Sequence, residues 1–252
     1  MTLVIKKILK HWEKFFSSEI EPLYGPEMTN IIASITLISK KMNDVLTVSQ
    51  IHSLSKMITF QVLRVPGFLE RRFENGKIMF DETINETSEQ FELHPETIKL
   101  ILDDSVNNKD DFIRDKTIPL IAEVDRLEKF SKVLVDKIWL IYFNNSSVPF
   151  ITSDSPVVMY NFIRNSVSYA DNGVGRDDTF IYYPLSSKIL IKIVPRNFLG
   201  VKVESSNNTL AVLSNHDTSF INSVNNLQVR HSERQIFVHP DLMDSLKTIT
   251  NT

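Results

Sequence analysis

Lys137-Ile138-Trp139-Leu140-Ile141-Tyr142-Phe143-Asn144-Asn145-Ser146-Ser147 is where the chain changes its period. Upstream, apolar residues recur every three or four positions, the spacing of helices with one buried stripe. Here they run on without a gap, rich in β-branched and aromatic types, and stop at an Asn-Asn-Ser-Ser turn. That pattern predicts a strand. Further strands are expected over Phe150–Thr152, Val157–Tyr160, Thr179–Tyr183, Lys188–Val194, Leu199–Val203 and Gln235–Val238. Asn215 or Asp217 caps a helix through Leu227, and a short helix runs from Pro240 to Lys247.

On the other side of Lys137 the expected elements are helices: Leu3–Phe16, Met28–Met42 after a break at Pro22–Pro26, Val48–Leu63 behind Thr47 as N-cap, Pro95–Leu102, and Asp110–Leu134 with a kink at Pro119. The polar passage from Phe73 to Gln90 reads as a connection or lid. Helices first and a mostly antiparallel sheet afterwards make an α+β protein. Residues 1–136 form the helical part and 137–252 the sheet with its covering helices, together one integrated domain.

Composition narrows the function classes. At 252 residues with 42% hydrophobic residues, the chain can bury a core without staples. It has no cysteine, which removes disulfides, thiolate catalysis and cysteine-ligated metals and fits a reducing, cytoplasmic setting. The formal charge of −3 permits nucleic acid but does not indicate it. No secretory signal or membrane span is expected. The lysine-faced helix Leu3–Phe16 could meet a partner, although one buried and one solvated face is the ordinary reading. There is no P-loop, no G-x-G-x-x-G, no nucleophile elbow and no H-E-x-x-H.

Candidate chemistry therefore rests on three local features. Phe150-Ile151-Thr152-Ser153-Asp154-Ser155-Pro156-Val157-Val158 interrupts two apolar runs with a polar corner. Asp and Ser there can bond nearby backbone and Pro156 gives nothing to a ladder, which holds Asp154 at a strand end with Ser153 beside it. Gln61 and Arg64 lie one turn apart on an apolar helix, an amide and a guanidinium suited to a phosphate or carboxylate, or else to a structural clamp. Glu19 and Glu21 sit at a helix start, where acids favour the dipole. Either could join Asp154 as an acid/base pair or as ligands of a hard divalent metal such as magnesium.

Several runs, taken in order, resemble a known family. Phe60 to Pro66, Trp139 followed by Phe150-Ile151-Thr152-Ser153-Asp154-Ser155-Pro156-Val157, Tyr183-Pro184-Leu185-Ser186-Ser187-Lys188, and Asn225 through Phe237 are similar to motifs of the bacterial domain-of-unknown-function family four-two-three-eight. The resemblance implies a shared fold but no reaction. Members usually open with a His-His-x-Val-Pro segment that this chain lacks, which implies a truncated, split or degenerate member, or one that takes the missing part from a partner.

Two functions follow from these residues. One is a binding or assembly module, working with a protein partner or a second copy, in which the polar residues form a structural network. The other is a hydrolase or nuclease-like enzyme whose Asp154, Glu19 or Glu21, Gln61, Arg64 and Ser153 converge on a phosphate-containing substrate.

Overall fold

The computed structural model describes residues 18, 21–38, 40–63, 65, 95–97, 99–100, 124–169, 171–198 and 208–238. The expected helix Leu3–Phe16, the passage 73–90, the strand Leu199–Val203 and the helix Pro240–Lys247 lie outside these residues. So does the Asp110–Leu134 helix before residue 124.

Helix α1 spans Glu21–Thr36 and passes through both prolines of the expected break. Pro22 falls in the first turn, where no N–H is required, so only Pro26 costs a helical bond. The helix also ends earlier than its sequence suggests, and Met42–Asn43 forms a short strand, β1, instead of a last helical turn. Helix α2 then occupies Val48–Leu63 as expected. Its start is a reciprocal cap: the Gln50 N–H donates to Thr47 Oγ1 at 3.2 Å, and the Thr47 N–H donates to Gln50 Oε1 at 2.9 Å. Helix α3 covers Val124–Val135.

The strand at the change of period is β2, Ile138–Asn144. It is followed by β3 at Thr152–Ser153, β4 at Val158–Asn161, β5 at Thr179–Ser186, β6 at Ile189–Val194 and β7 at Asn208–Leu213. A 3-10 turn at Asn215–Asp217 leads into helix α4, Thr218–His231, and β8 is Ile236–Phe237. The main sheet has the order β1-β7-β2-β6-β5-β4. All its pairs are antiparallel except β2 with β7. Helices with a mostly antiparallel sheet make this an α+β protein.

Strand β7, like β1, is an element the sequence does not predict. Its Asn208 start reads as a loop residue, yet that side chain accepts the Leu46 N–H at 2.7 Å and donates to Leu46 O at 3.0 Å. A polar residue pairs the β1–α2 connection with the sheet from a buried position. The last strand differs too: β8 does not extend the main sheet but pairs with β3 in a separate two-stranded ladder.

Alternation along β2 divides the core. Trp139, Ile141 and Phe143 join Ile31 and Ile35 of α1, Leu54, Ile58 and Val62 of α2, and Leu134 of α3. Ile138 faces the other way, into a second core with Val158, Leu190, and Ile221 and Val224 of α4. Neighbouring side chains on one strand thus serve opposite layers. Trp139 is fully buried, and its indole N–H donates to Leu134 O at 3.0 Å, closing the end of α3. No described helix is long and apolar enough to cross a membrane.

Trp139→Ala removes both the ring and this bond. Urea unfolding should show a loss of about 4 kcal/mol, and Trp139→Phe a clearly smaller one. Equal losses would mean that the ring retained by phenylalanine contributes nothing beyond the lost indole N–H bond.

Candidate functional site

The polar corner is built against α4. Between β2 and β4, the Phe150 N–H donates to Ser187 O and β3 pairs with β8, which leaves the other buried backbone groups from Pro149 to Val157 in need of partners. Three α4 residues at three-residue intervals supply them. Asn225 accepts the Ile151 N–H at 3.1 Å and donates to Pro149 O at 3.0 Å. One turn on, Gln228 accepts the Ser153 hydroxyl at 3.0 Å and donates to Pro156 O at 2.8 Å. His231, a turn further, lies 3.0 Å through Nε2 from the Tyr169 hydroxyl, which is 3.2 Å from Ser155 Oγ. All three α4 residues are buried.

Asp154 turns the other way. It was expected to bond its own turn, but Ser153 does that, accepting the Ser155 N–H at 3.2 Å. Asp154 instead secures the chain that leaves α4: its Oδ1 accepts the Glu233 N–H at 3.1 Å, and Oδ2 lies 3.7 Å from Arg234 Nε. Its own N–H donates to Gln235 O at 3.1 Å, next to the β3–β8 ladder. A carboxylate accepts a backbone donor more strongly than a neutral oxygen would, which suits an acid at this position.

Ser153 and Asp154 are therefore brought together in one network. Gln61 is buried on α2, where its Oε1 has no hydrogen-bond partner, and no bond links it to the corner. Glu19 and Arg64 lie outside the described residues. So does the Glu21 side chain, although its backbone opens α1. Among the described residues no group of three or more His, Asp or Glu side chains could hold a metal ion. An open groove of about 170 Å³ lies beside the β3–β8 ladder, lined by Phe150, Thr152, Ser186, Ser187 and Phe237 among others. It carries no carboxylate.

Sequence reasoning missed Asn225, Gln228 and His231 as parts of this site. The available signal was their spacing, three polar residues on one stripe of a helix whose neighbouring positions Ile221 and Val224 are buried.

Burial changes the protonation of the network. It pushes the His231 imidazole down from 6.5 to about 4, against backbone bonds to Val167 and Val157 and the nearby Asp154 charge, which favour the charged ring. Burial also pushes the Tyr169 hydroxyl well above the ordinary tyrosine range, opposed by the bond to Ser155. The pair is thus neutral at pH 7.

With these contacts in place, the fold and the site define an α+β protein whose polar corner is fastened by the stripe of one helix. The chain belongs to the family described as protein of unknown function (DUF4238), whose model matches residues 6–241. It matches no curated protein and no solved structure.

Gln228→Ala leaves a buried carbonyl and hydroxyl without their amide partner and should cost about 3 kcal/mol in urea unfolding. Arg230→Ala, on the exposed side of α4, should change stability by less than about 0.5 kcal/mol. A Gln228→Ala variant as stable as the parent would mean that water replaces the amide.

The His231 shift gives a pH dependence of definite sign. Its folded pKa lies below its unfolded one, so the unfolded chain binds more protons between pH 6.5 and about 4. Stability is complete above pH 6.5 and falls through this window by up to about 3 kcal/mol. Urea midpoints measured from pH 7 to pH 4 should show this decline in the parent and a much shallower one in His231→Phe.

Proposed function

We propose that this chain is a bacterial cytoplasmic binding or assembly module, in which the Thr-Ser-Asp-Ser-Pro corner is a structural clamp and the function lies in recruiting another chain. The carrying observation is that the polar side chains from Ser153 to Ser155 are committed internally. Ser153 bonds Gln228, Ser155 meets Tyr169, and Asp154 accepts the Glu233 N–H beside Arg234. A general acid or base needs an oxygen within hydrogen-bond reach of a substrate proton. Here the carboxylate faces backbone and guanidinium.

A second reading is favoured by one observation. The Gln61 Oε1 is buried and unpartnered. Such an atom costs about 1–3 kcal/mol, which a ligand hydroxyl or amide hydrogen would offset. In this reading Gln61 and Arg64, with Ser153, Asp154 and Glu19 or Glu21, bind a phosphate-containing substrate for hydrolase or nuclease-like chemistry, with a divalent metal.

Asp154→Ala separates the two. In the clamp reading the variant loses about 2 kcal/mol of stability in urea unfolding, and the parent shows no magnesium-dependent cleavage of a phosphodiester probe such as bis-p-nitrophenyl phosphate. A variant with parental stability that abolishes a measurable parental cleavage would overturn the clamp and establish the enzyme. Gln61→Leu should raise stability by about 1 kcal/mol in either case, and only in the enzyme reading would it also abolish cleavage.

A further inference from the structure

We propose that Lys192, with Tyr142 and Tyr182, forms a binding site for a small organic carboxylate with an apolar body, on the face of the sheet that α4 partly covers. The inference goes beyond both readings above. None of these residues belongs to the polar corner, and α2, which carries Gln61, packs on the opposite face.

The strand register places the side chains. On β6, Leu190 and Val194 enter the core on the α4 side, so Lys192 between them points the same way. Tyr182 of β5 lies directly opposite Lys192 on one side, and Leu140 of β2 on the other. Tyr142, two residues on from Leu140, is the diagonal neighbour, within reach of a long side chain. The ammonium lies 4.4 Å from the centroid of the Phe180 ring and 5.4 Å from that of Tyr182. Phe162 and Phe198 pack on Phe180 from beyond, and Phe220 of α4 packs on Tyr142. The face is not closed here. Leu140, Tyr142, Lys192 and Ala211, the β7 partner of Tyr142, are half-buried, while Ile138, Leu190 and Val194 around them are buried.

What distinguishes this place is a set of donors without acceptors. A ring face attracts an ammonium but accepts its N–H donors far less well than an oxygen does. Among the described residues, no carboxylate lies within ion-pair distance of Lys192, and neither the Tyr142 nor the Tyr182 hydroxyl has a hydrogen-bond partner. Burial lowers the Lys192 pKa, and a carboxylate beside the ammonium would reverse that shift. The donor set also fixes the ligand class. One ammonium matches one negative charge, whereas a phosphate dianion requires an arginine fork or a run of backbone N–H groups. The start of α4 next to Phe220 does not supply that run, because Asp217 precedes it and repels an anion. A carboxylate accepts from the ammonium and both hydroxyls, and the rings of Phe180 and Tyr142 cover an apolar body.

A titration of the full chain with cinnamate, followed by the backbone amide NMR signals of β2, β5 and β6, tests the site. The parent should bind with a Kd of about 0.3–3 mM, the range for a ligand of this size. Neutral cinnamamide and phenyl phosphate should each bind at least about fivefold more weakly. Lys192→Met keeps the apolar stem and loses the charge, so its urea midpoint should be no lower than the parent's. Its affinity for cinnamate should fall at least about tenfold. Tyr182→Phe keeps the ring and should weaken binding about fivefold, which tests the site even if Lys192→Met does not fold. The site is overturned if the parent shows no saturable shift of these amides up to about 20 mM cinnamate. It is equally overturned if either control binds as tightly as cinnamate, or if Lys192→Met or Tyr182→Phe binds like the parent.

Discussion

The fold depends on the amides of α4 more than on any other polar contact. Between Pro149 and Pro156 the chain finds backbone partners among the described residues only at Phe150, β3 and Asp154. The Ile151 N–H and the Pro149 and Pro156 carbonyls would go without a partner were it not for Asn225 and Gln228. A primary amide has both a donor and an acceptor, so each can replace a strand neighbour for a stretch that the sheet cannot pair. Because both lie on a rigid helix, they also set where β4 begins and which way Val157 and Val158 face. Those two residues then enter opposite cores.

Charge in this protein is arranged by the same need to satisfy buried groups. Lys137 is buried at the start of β2, and its ammonium donates to Arg176 O at 3.2 Å. Burial lowers its pKa, while Asp177 and Asp136 oppose that shift. Lys192 projects from the middle of the sheet with its ammonium 4.4 Å from the centroid of Phe180, where an aromatic face takes the place of a carboxylate. Burial lowers that pKa as well. The loop after β4 satisfies its groups through acids. Asn161 donates to Asp178 Oδ2 and accepts the N–H groups of Ile163 and Arg164, and Arg176 pairs with Asp178. Asp178 is correspondingly held well below the usual carboxylate range, first by the Arg176 bond.

These arrangements show why a motif and a site are different things. Thr-Ser-Asp-Ser-Pro has the residue types of a catalytic corner, and its three hydroxyl and carboxyl side chains from Ser153 to Ser155 are all hydrogen-bonded within the chain. What separates a clamp from a reaction centre is the direction of each lone pair, and direction comes from the element on the other side. Among the described residues the buried side-chain oxygens without a partner are instead Ser55 Oγ and Gln61 Oε1, both on α2, whose apolar residues pack on the opposite face of the sheet from α4.

Local pattern alone determined a good part of this protein. The change of period at Lys137, the Thr47 cap, the runs that became β2, β4, β5 and β6, and the α+β class all follow from spacing and turn chemistry, which act over a few residues. Asp154 and Ser153 were legible as one feature for the same reason. Only the tertiary structure decided the rest. Asn208 opens a strand because Leu46, far away in sequence, offers it both a donor and an acceptor. Met42–Asn43 leaves the helical pattern because β7 offers a ladder. Asp154 bonds Glu233 instead of its own turn because α4 ends beside it. In each case a polar group is satisfied by a partner dozens of residues away or more, and no local pattern records which partner the fold will bring.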